Sequence, residues 1–96
     1  MAVTIYGENR VHERIACVGD DLDESFLSAC HAAPDGSVLS GVFSVGDTMF
    51  NERQLEQFAA ELDRLPEERK TDTTRQVADM ARRAAASRGY LFISGD

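Results

Sequence analysis

Long apolar runs, a basic leader, lysine and cysteine are what this 96-residue chain has least of. No stretch approaches the ~18 consecutive apolar residues of a membrane-spanning helix. The opening Met-Ala-Val-Thr-Ile-Tyr-Gly-Glu has neither the basic segment nor the apolar core of a secretory signal. No membrane partner and a cytoplasmic location are therefore expected. Cysteine occurs only at Cys17 and Cys30, outside any CxxC spacing. In a reducing compartment both read as small buried apolar side chains rather than as a disulfide or a metal pair. Lys70 is the single lysine beside nine arginines, and 17 acidic side chains leave a net charge of −7. Such a charge disfavours nucleic acid and anionic lipid as partners and favours solubility or a basic protein.

Catalytic motifs are missing too. There is no HExxH, no GxSxG and no glycine-rich phosphate loop. His12 and His31 are isolated, and Cys30 and His31, as neighbours on a helix, point about 100° apart, a poor arrangement for a nucleophile and its base. No enzymatic activity is indicated and no cofactor is expected. No repeat, low-complexity tract or linker divides the chain, whose length suits one domain over residues 1–96.

What is present is a sequence of well-punctuated elements. Val3 and Ile5 alternate with Thr4 and Tyr6, Gly7-Glu8-Asn9 reads as a turn, and Val11, Ile15 and Cys17 share one phase of a return strand. Glu13 breaks that phase, which predicts a hairpin tip beyond the core with Arg10, Glu13 and Arg14 in water. Gly19-Asp20-Asp21 ends the strand, and Asp21 with Glu24 at capping-box spacing opens an acidic helix. Its stripe runs through Leu22, Phe26, Cys30 and Ala33 before Pro34-Asp35-Gly36 turns the chain.

Val38 to Val45 reads as a third strand, with Gly41 marking a bulge or a close helix approach. Gly46-Asp47-Thr48 is its turn. Asn51 with Gln54 forms a capping box and Phe50 with Leu55 a hydrophobic staple, followed by Leu55, Phe58, Ala59, Leu62 and Leu65 at helical spacing up to Pro66. After the charged connection from Glu67 to Asp72, a last helix from about Thr73 carries Val77, Met80, Ala81 and Ala84 on one face and stops at Gly89 as its C′ glycine. Tyr90-Leu-Phe-Ile-Ser94 is an apolar, aromatic strand suited to the centre of a sheet. The order β-β-α-β-α-α-β predicts an α+β fold: a mixed four-stranded sheet with three helices mainly on one face.

Two constellations are candidate sites. Gly-Asp follows three strands, at Gly19-Asp20, Gly46-Asp47 and Gly95-Asp96. One helix between the second and third strands would make them parallel and place Asp20, Asp21 and Asp47 along one sheet edge, with Asp96 at the opposite one. Three carboxylates there could hold a divalent cation, although glycine and aspartate are also the ordinary residues of turns and caps. Separately, Asp20, Asp21, Asp23, Glu24 and Asp35 form a run with no Lys or Arg, whereas Arg75, Arg82, Arg83 and Arg88 face only Asp79 on the last helix. Both runs could be solvated faces. The acidic one could equally be a docking surface for a basic protein.

The segment Val45-Gly-Asp-Thr-Met-Phe-Asn51, Gln54 and the ending Tyr90-Leu-Phe-Ile-Ser-Gly-Asp96 resemble a family of small uncharacterised bacterial proteins. That family pairs a GDT-x-F-N-x-x-Q segment and two helices with a closing L-x-F-x-GD strand. Asp47 to Gln54 and Gly95-Asp96 match its pattern, and the likeness covers about the C-terminal 60 residues. In size, acidity and layout such proteins are similar to toxin-neutralising immunity proteins, which implies a non-enzymatic, immunity- or antitoxin-like module binding a basic partner. Two other roles fit the residues: a small accessory or enzymatic domain with a cation at Asp20, Asp21 and Asp47, and an oligomer-forming subunit with Val38 and Val42 on an exposed sheet face.

Overall fold

The computed structural model describes residues 3–95. In chain order it contains β1 (Thr4–Glu8), β2 (Arg14–Gly19), α1 (Ser25–Ala32), a 3₁₀ turn (Leu39–Gly41) and β3 (Gly46–Phe50). Then follow α2 (Glu52–Asp63), a second 3₁₀ turn (Glu67–Arg69), α3 (Asp72–Ala86) and β4 (Tyr90–Gly95). The fold is α+β with the expected β-β-α-β-α-α-β order. The strands lie in the order β2-β1-β4-β3, and every neighbouring pair is antiparallel. β4 is central, as its apolar sequence requires.

Strand periodicity puts Val3, Ile5, Leu91, Ile93 and Phe50 on the face covered by the helices, where they meet Phe26 of α1, Leu55, Phe58 and Leu62 of α2, and Val77 and Ala81 of α3. Phe58 packs between Phe26 and Phe50, with ring centroids 6.1 and 5.2 Å away. Each fully buried side chain of this size stabilises the fold by about 1.5–3 kcal/mol. Within the core face Gly7 lets α3 approach: a Cβ there would lie 3.1 Å from Met80 Cγ. Gly7, and not Gly41, is therefore the mid-strand glycine that admits a helix.

Where a mixed sheet with parallel second and third strands was expected, the ladder is antiparallel throughout. The segment after α1 carries the chain to the opposite edge of the sheet but back to the same end of the strands, so β3 starts at the end where β2 stops and then runs the opposite way. The strand expected over Val38 to Val45 also lies elsewhere. Leu39 and Val42, three residues apart, are both buried, which is the 3₁₀ period rather than the strand period. Side chains meet the backbone demand there: Glu61 of α2 accepts from the N–H groups of Val38 and Leu39 at 3.1 and 2.9 Å, and Ser37 Oγ accepts from Ser40 N–H at 3.2 Å. The ladder begins only at Gly46, so Asp47 sits inside β3 and not in a turn after a strand.

The first hairpin exists, but its turn is later than Gly7-Glu8-Asn9. Asn9 directs it: its Oδ1 accepts from the N–H groups of Val11 and Glu13, and its own N–H donates to the Glu13 carbonyl. Arg10, Glu13 and Arg14 are exposed, as expected of a projecting tip. A bulge at Gly7/Glu8 leaves Ile15 without a partner in β1, exposed beside Met80 and Arg83 of α3. α1 starts at Ser25, so Leu22 lies outside the helix and fully exposed. α2 follows expectation closely, with both halves of the Asn51/Gln54 capping box formed.

Candidate functional site

Asp20 and Asp21 have an architectural task. Asp20 accepts from the N–H groups of Phe26 and Leu27, both at 3.0 Å, and Asp21 accepts from Ser25 N–H at 2.8 Å and from the Ser25 hydroxyl. The first N–H groups of a helix have no partner inside it, and here two carboxylates reaching across from the end of β2 satisfy them. The Ser25 hydroxyl also meets the hydroxyl of Thr71, the N-cap of α3, at 2.8 Å, so the beginnings of two helices are tied together. The hydroxyl and N–H of Ser25 hold the Asp21 carboxyl below its ordinary value of 3.8.

The other expected acidic residues are divided by the helix. Asp23 and Glu24 stand at the start of α1, while Asp35 is exposed in the turn beyond its end. Eight helical residues, roughly 12 Å of rise, separate the two groups. The acidic surface is thus two small groups rather than one patch.

Asp20, Asp21 and Asp47 do not converge. Gly19, Thr4, Ser94 and Asp47 make one row across the whole sheet, which places Asp47 three strand spacings, roughly 14 Å, from the strand that leads to Asp20. The cause is topological, since β3 pairs beyond β4 at the far edge. Among the described residues no group of three or more His, Cys, Asp or Glu side chains could hold a metal ion. Asp96 lies outside the described residues.

The cysteines differ from each other. Cys30 is buried, and burial, reinforced by the carboxylates of Asp20 and Glu61, pushes its thiol up to about 12. Cys17 is exposed, contrary to the expectation that both are buried, because β2 is an edge strand whose outward face is not covered by any helix among the described residues.

That outward face of the sheet is the most distinctive surface. All three helices pack on the opposite side, and the register aligns Cys17, Tyr6, Phe92 and Met49 in one row over four strands. Tyr6 and Phe92 are tilted neighbours with centroids 6.4 Å apart. The Arg14 guanidinium lies over Tyr6 at 3.9 Å and 5.4 Å from the Phe92 centroid. At the β3 edge Met49 is 44 % exposed, and in the segment that leads into β3 Phe43 and Val45 are 62 and 66 % exposed.

One end of this face is fixed by a buried carboxylate. Glu8 is 5 % exposed, has its Oε1 within hydrogen-bond distance of His12 Nδ1 at 3.0 Å, and has Arg14 Nε at 3.9 Å from its other oxygen. The His12 ring stacks on Tyr90 with centroids 4.2 Å apart. A carboxylate this buried needs such partners, and it holds the hairpin tip against the sheet. Strand geometry places Cys17 roughly 12 Å from Tyr90, the residue under His12, so these two do not form a nucleophile and base. The arrangement offers apolar and aromatic contact, with one stacked cation.

The sequence carried a signal for this face. Tyr6 and Phe92 stand in the opposite phase to Ile5 and Ile93, so two central strands carry large side chains on both faces. The tie between Glu8, His12 and Arg14 had no such signal, because it depends on where the hairpin turns. Comparison with protein-family models, with curated proteins and with solved structures found no match.

Proposed function

We propose that this chain is a non-enzymatic, cytoplasmic protein-binding module of immunity- or antitoxin-like type. In this reading it docks a basic partner protein through the uncovered sheet face and the adjoining β3 edge. The observation that carries the reading is the row Cys17, Tyr6, Phe92 and Met49, left bare by all three helices, with Phe43 and Val45 exposed in the segment just before β3. Contiguous exposed apolar surface of this kind marks contact sites in soluble proteins, and aromatic side chains with arginine are the usual anchors. Acid lies on the helix side of the segment before β3: Ser44, between Phe43 and Val45, lines a shallow depression together with Asp23, Glu24 and His31 of α1 and its approach. Net charge of −7 then favours a cationic partner and speeds its association. Asp20 and Asp21 add to the field, but their oxygens serve α1.

Affinity capture from the source organism tests the proposal. A basic protein should be retained by the native chain, released by raised salt, and lost with Phe43→Asp/Met49→Asp. Asp23→Arg/Asp35→Arg should weaken retention. A partner indifferent to all four substitutions would remove this surface from the account.

A second reading has its own observation. β3 is an edge strand, and the exposed Met49 within it, with Phe43 and Val45 exposed just before it, makes an edge on which a second copy could pair. This relocates the oligomer surface from Val38 and Val42, since Val42 is buried and Val38 packs against the core. Light scattering at micromolar concentration distinguishes the two readings: a stable dimer supports the subunit, a monomer the docking module.

A further inference from the structure

On the helix side of the molecule a cleft of about 440 Å³ opens between the second half of α1, the first 3₁₀ turn and the end of α2. Its volume falls in the range of small-molecule sites, roughly 300–1,000 Å³. The cleft exists because α1 presents Ala29, Ala32 and Ala33 where larger side chains would close it, and Leu39 and Leu65 complete an apolar lining. Two guanidinium groups border it. Among the described residues Arg64, at the C-terminal end of α2, is exposed and has no ion-pair partner, and the guanidinium of Arg69 donates to Ser28 Oγ alone, at 3.3 Å.

One carboxylate, Glu61, also lines the cleft, but its oxygens are engaged. They accept from the N–H groups of Val38 and Leu39 and from the Gln57 amide at 3.1 Å. The mouth therefore presents two arginines against a single carboxylate already held by three donors. On a chain of net charge −7 this is a local reversal of sign at an apolar opening.

From this combination we infer that the cleft is a binding site for a small apolar molecule ending in a carboxylate. The tail occupies the alanine-lined interior and the carboxylate lies between Arg64 and Arg69. Guanidinium groups suit that task because their planar donors match a carboxylate in pairs. The inference is independent of the sheet face, which lies on the other side of the molecule.

Calorimetric titration of the full chain tests it, with sodium octanoate as the probe and octanamide as its neutral counterpart. Octanoate should bind saturably at one site. Octanamide should bind about tenfold more weakly or worse, and Arg64→Gln/Arg69→Gln should weaken octanoate by a similar factor. Ala32→Leu, at an exposed position on α1, should block the cleft and abolish binding while the circular dichroism spectrum stays unchanged. The inference falls if octanoate shows no saturable binding at millimolar concentration, if octanamide binds equally well, or if the double arginine variant binds octanoate as the native chain does.

Discussion

Two carboxylates at the end of β2 show how a side chain that looks functional can be structural. Asp20 and Asp21 take the first three N–H groups of α1, so replacing Asp20 by alanine should cost about 1–2 kcal/mol in urea unfolding, the usual loss for a removed helix cap. Asp21 adds a pH dependence. Its folded carboxyl lies below the ordinary 3.8, so its contribution is complete above that value and is lost as pH falls through the lower folded one. The stability gap between the native chain and Asp21→Asn should thus be constant at neutral pH and shrink only in strong acid. A gap that changed between pH 6 and 8 would refute this. Thiols give a second residue-scale test. Ellman's reagent should titrate one thiol, Cys17, in the folded protein, with Cys30 reacting only after denaturation because burial keeps it protonated.

The elements show where local pattern decides structure and where it does not. α2 forms as its cap, staple and stripe dictate, since all those contacts lie within a few residues of one another. The end of α3 is subtler. Its last turn closes with Gly89 N–H donating to the Ala84 carbonyl and Arg88 N–H to Ala85, a Schellman motif in which Arg88, at φ 56°, and not Gly89, takes the left-handed position. Gly89 is required for another reason: a Cβ there would lie 2.0 Å from the carbonyl oxygen of Glu8 in the neighbouring strand. Arg88→Gly should therefore raise stability by about 1 kcal/mol by relieving the left-handed strain. Gly89→Ala should lower it by about 2 kcal/mol or more, because a backbone carbonyl cannot move aside as a flexible side chain can. Thermal unfolding of both variants checks this, and equal effects would refute the assignment.

At the scale of the molecule the two faces of the sheet have different duties. The covered face holds the core, and Phe58, fully buried between Phe26 and Phe50, should cost about 3–5 kcal/mol when cut to alanine. The bare face holds Phe92, half-buried beside Tyr6 and Arg14, and Phe92→Ala should cost only about 1 kcal/mol. Similar losses at both positions would mean that the outward row is part of the fold's support rather than a surface available for contact. The cleft beneath α1 is a third region, opened by alanines and bordered by Arg64 and Arg69.

The sequence by itself determined what depends on neighbours along the chain. The α+β class, the order of elements, the caps of α2 and the buried stripes of α2 and α3 all follow from spacing and propensity. Tertiary structure alone decided the rest. That β3 pairs on the far side of β4 separates Asp47 from Asp20, and no local pattern encodes which edge a strand will join. Glu61 reaches back more than twenty residues to hold Val38 and Leu39, which makes a 3₁₀ turn from an apparently good strand. Asp20 and Asp21, read as a free acidic surface, became caps because α1 begins at Ser25, within their reach. The physical reason is common to all three. Hydrogen-bond demand and apolar burial are satisfied by whichever group the fold brings near, and distance along the chain does not set distance in space.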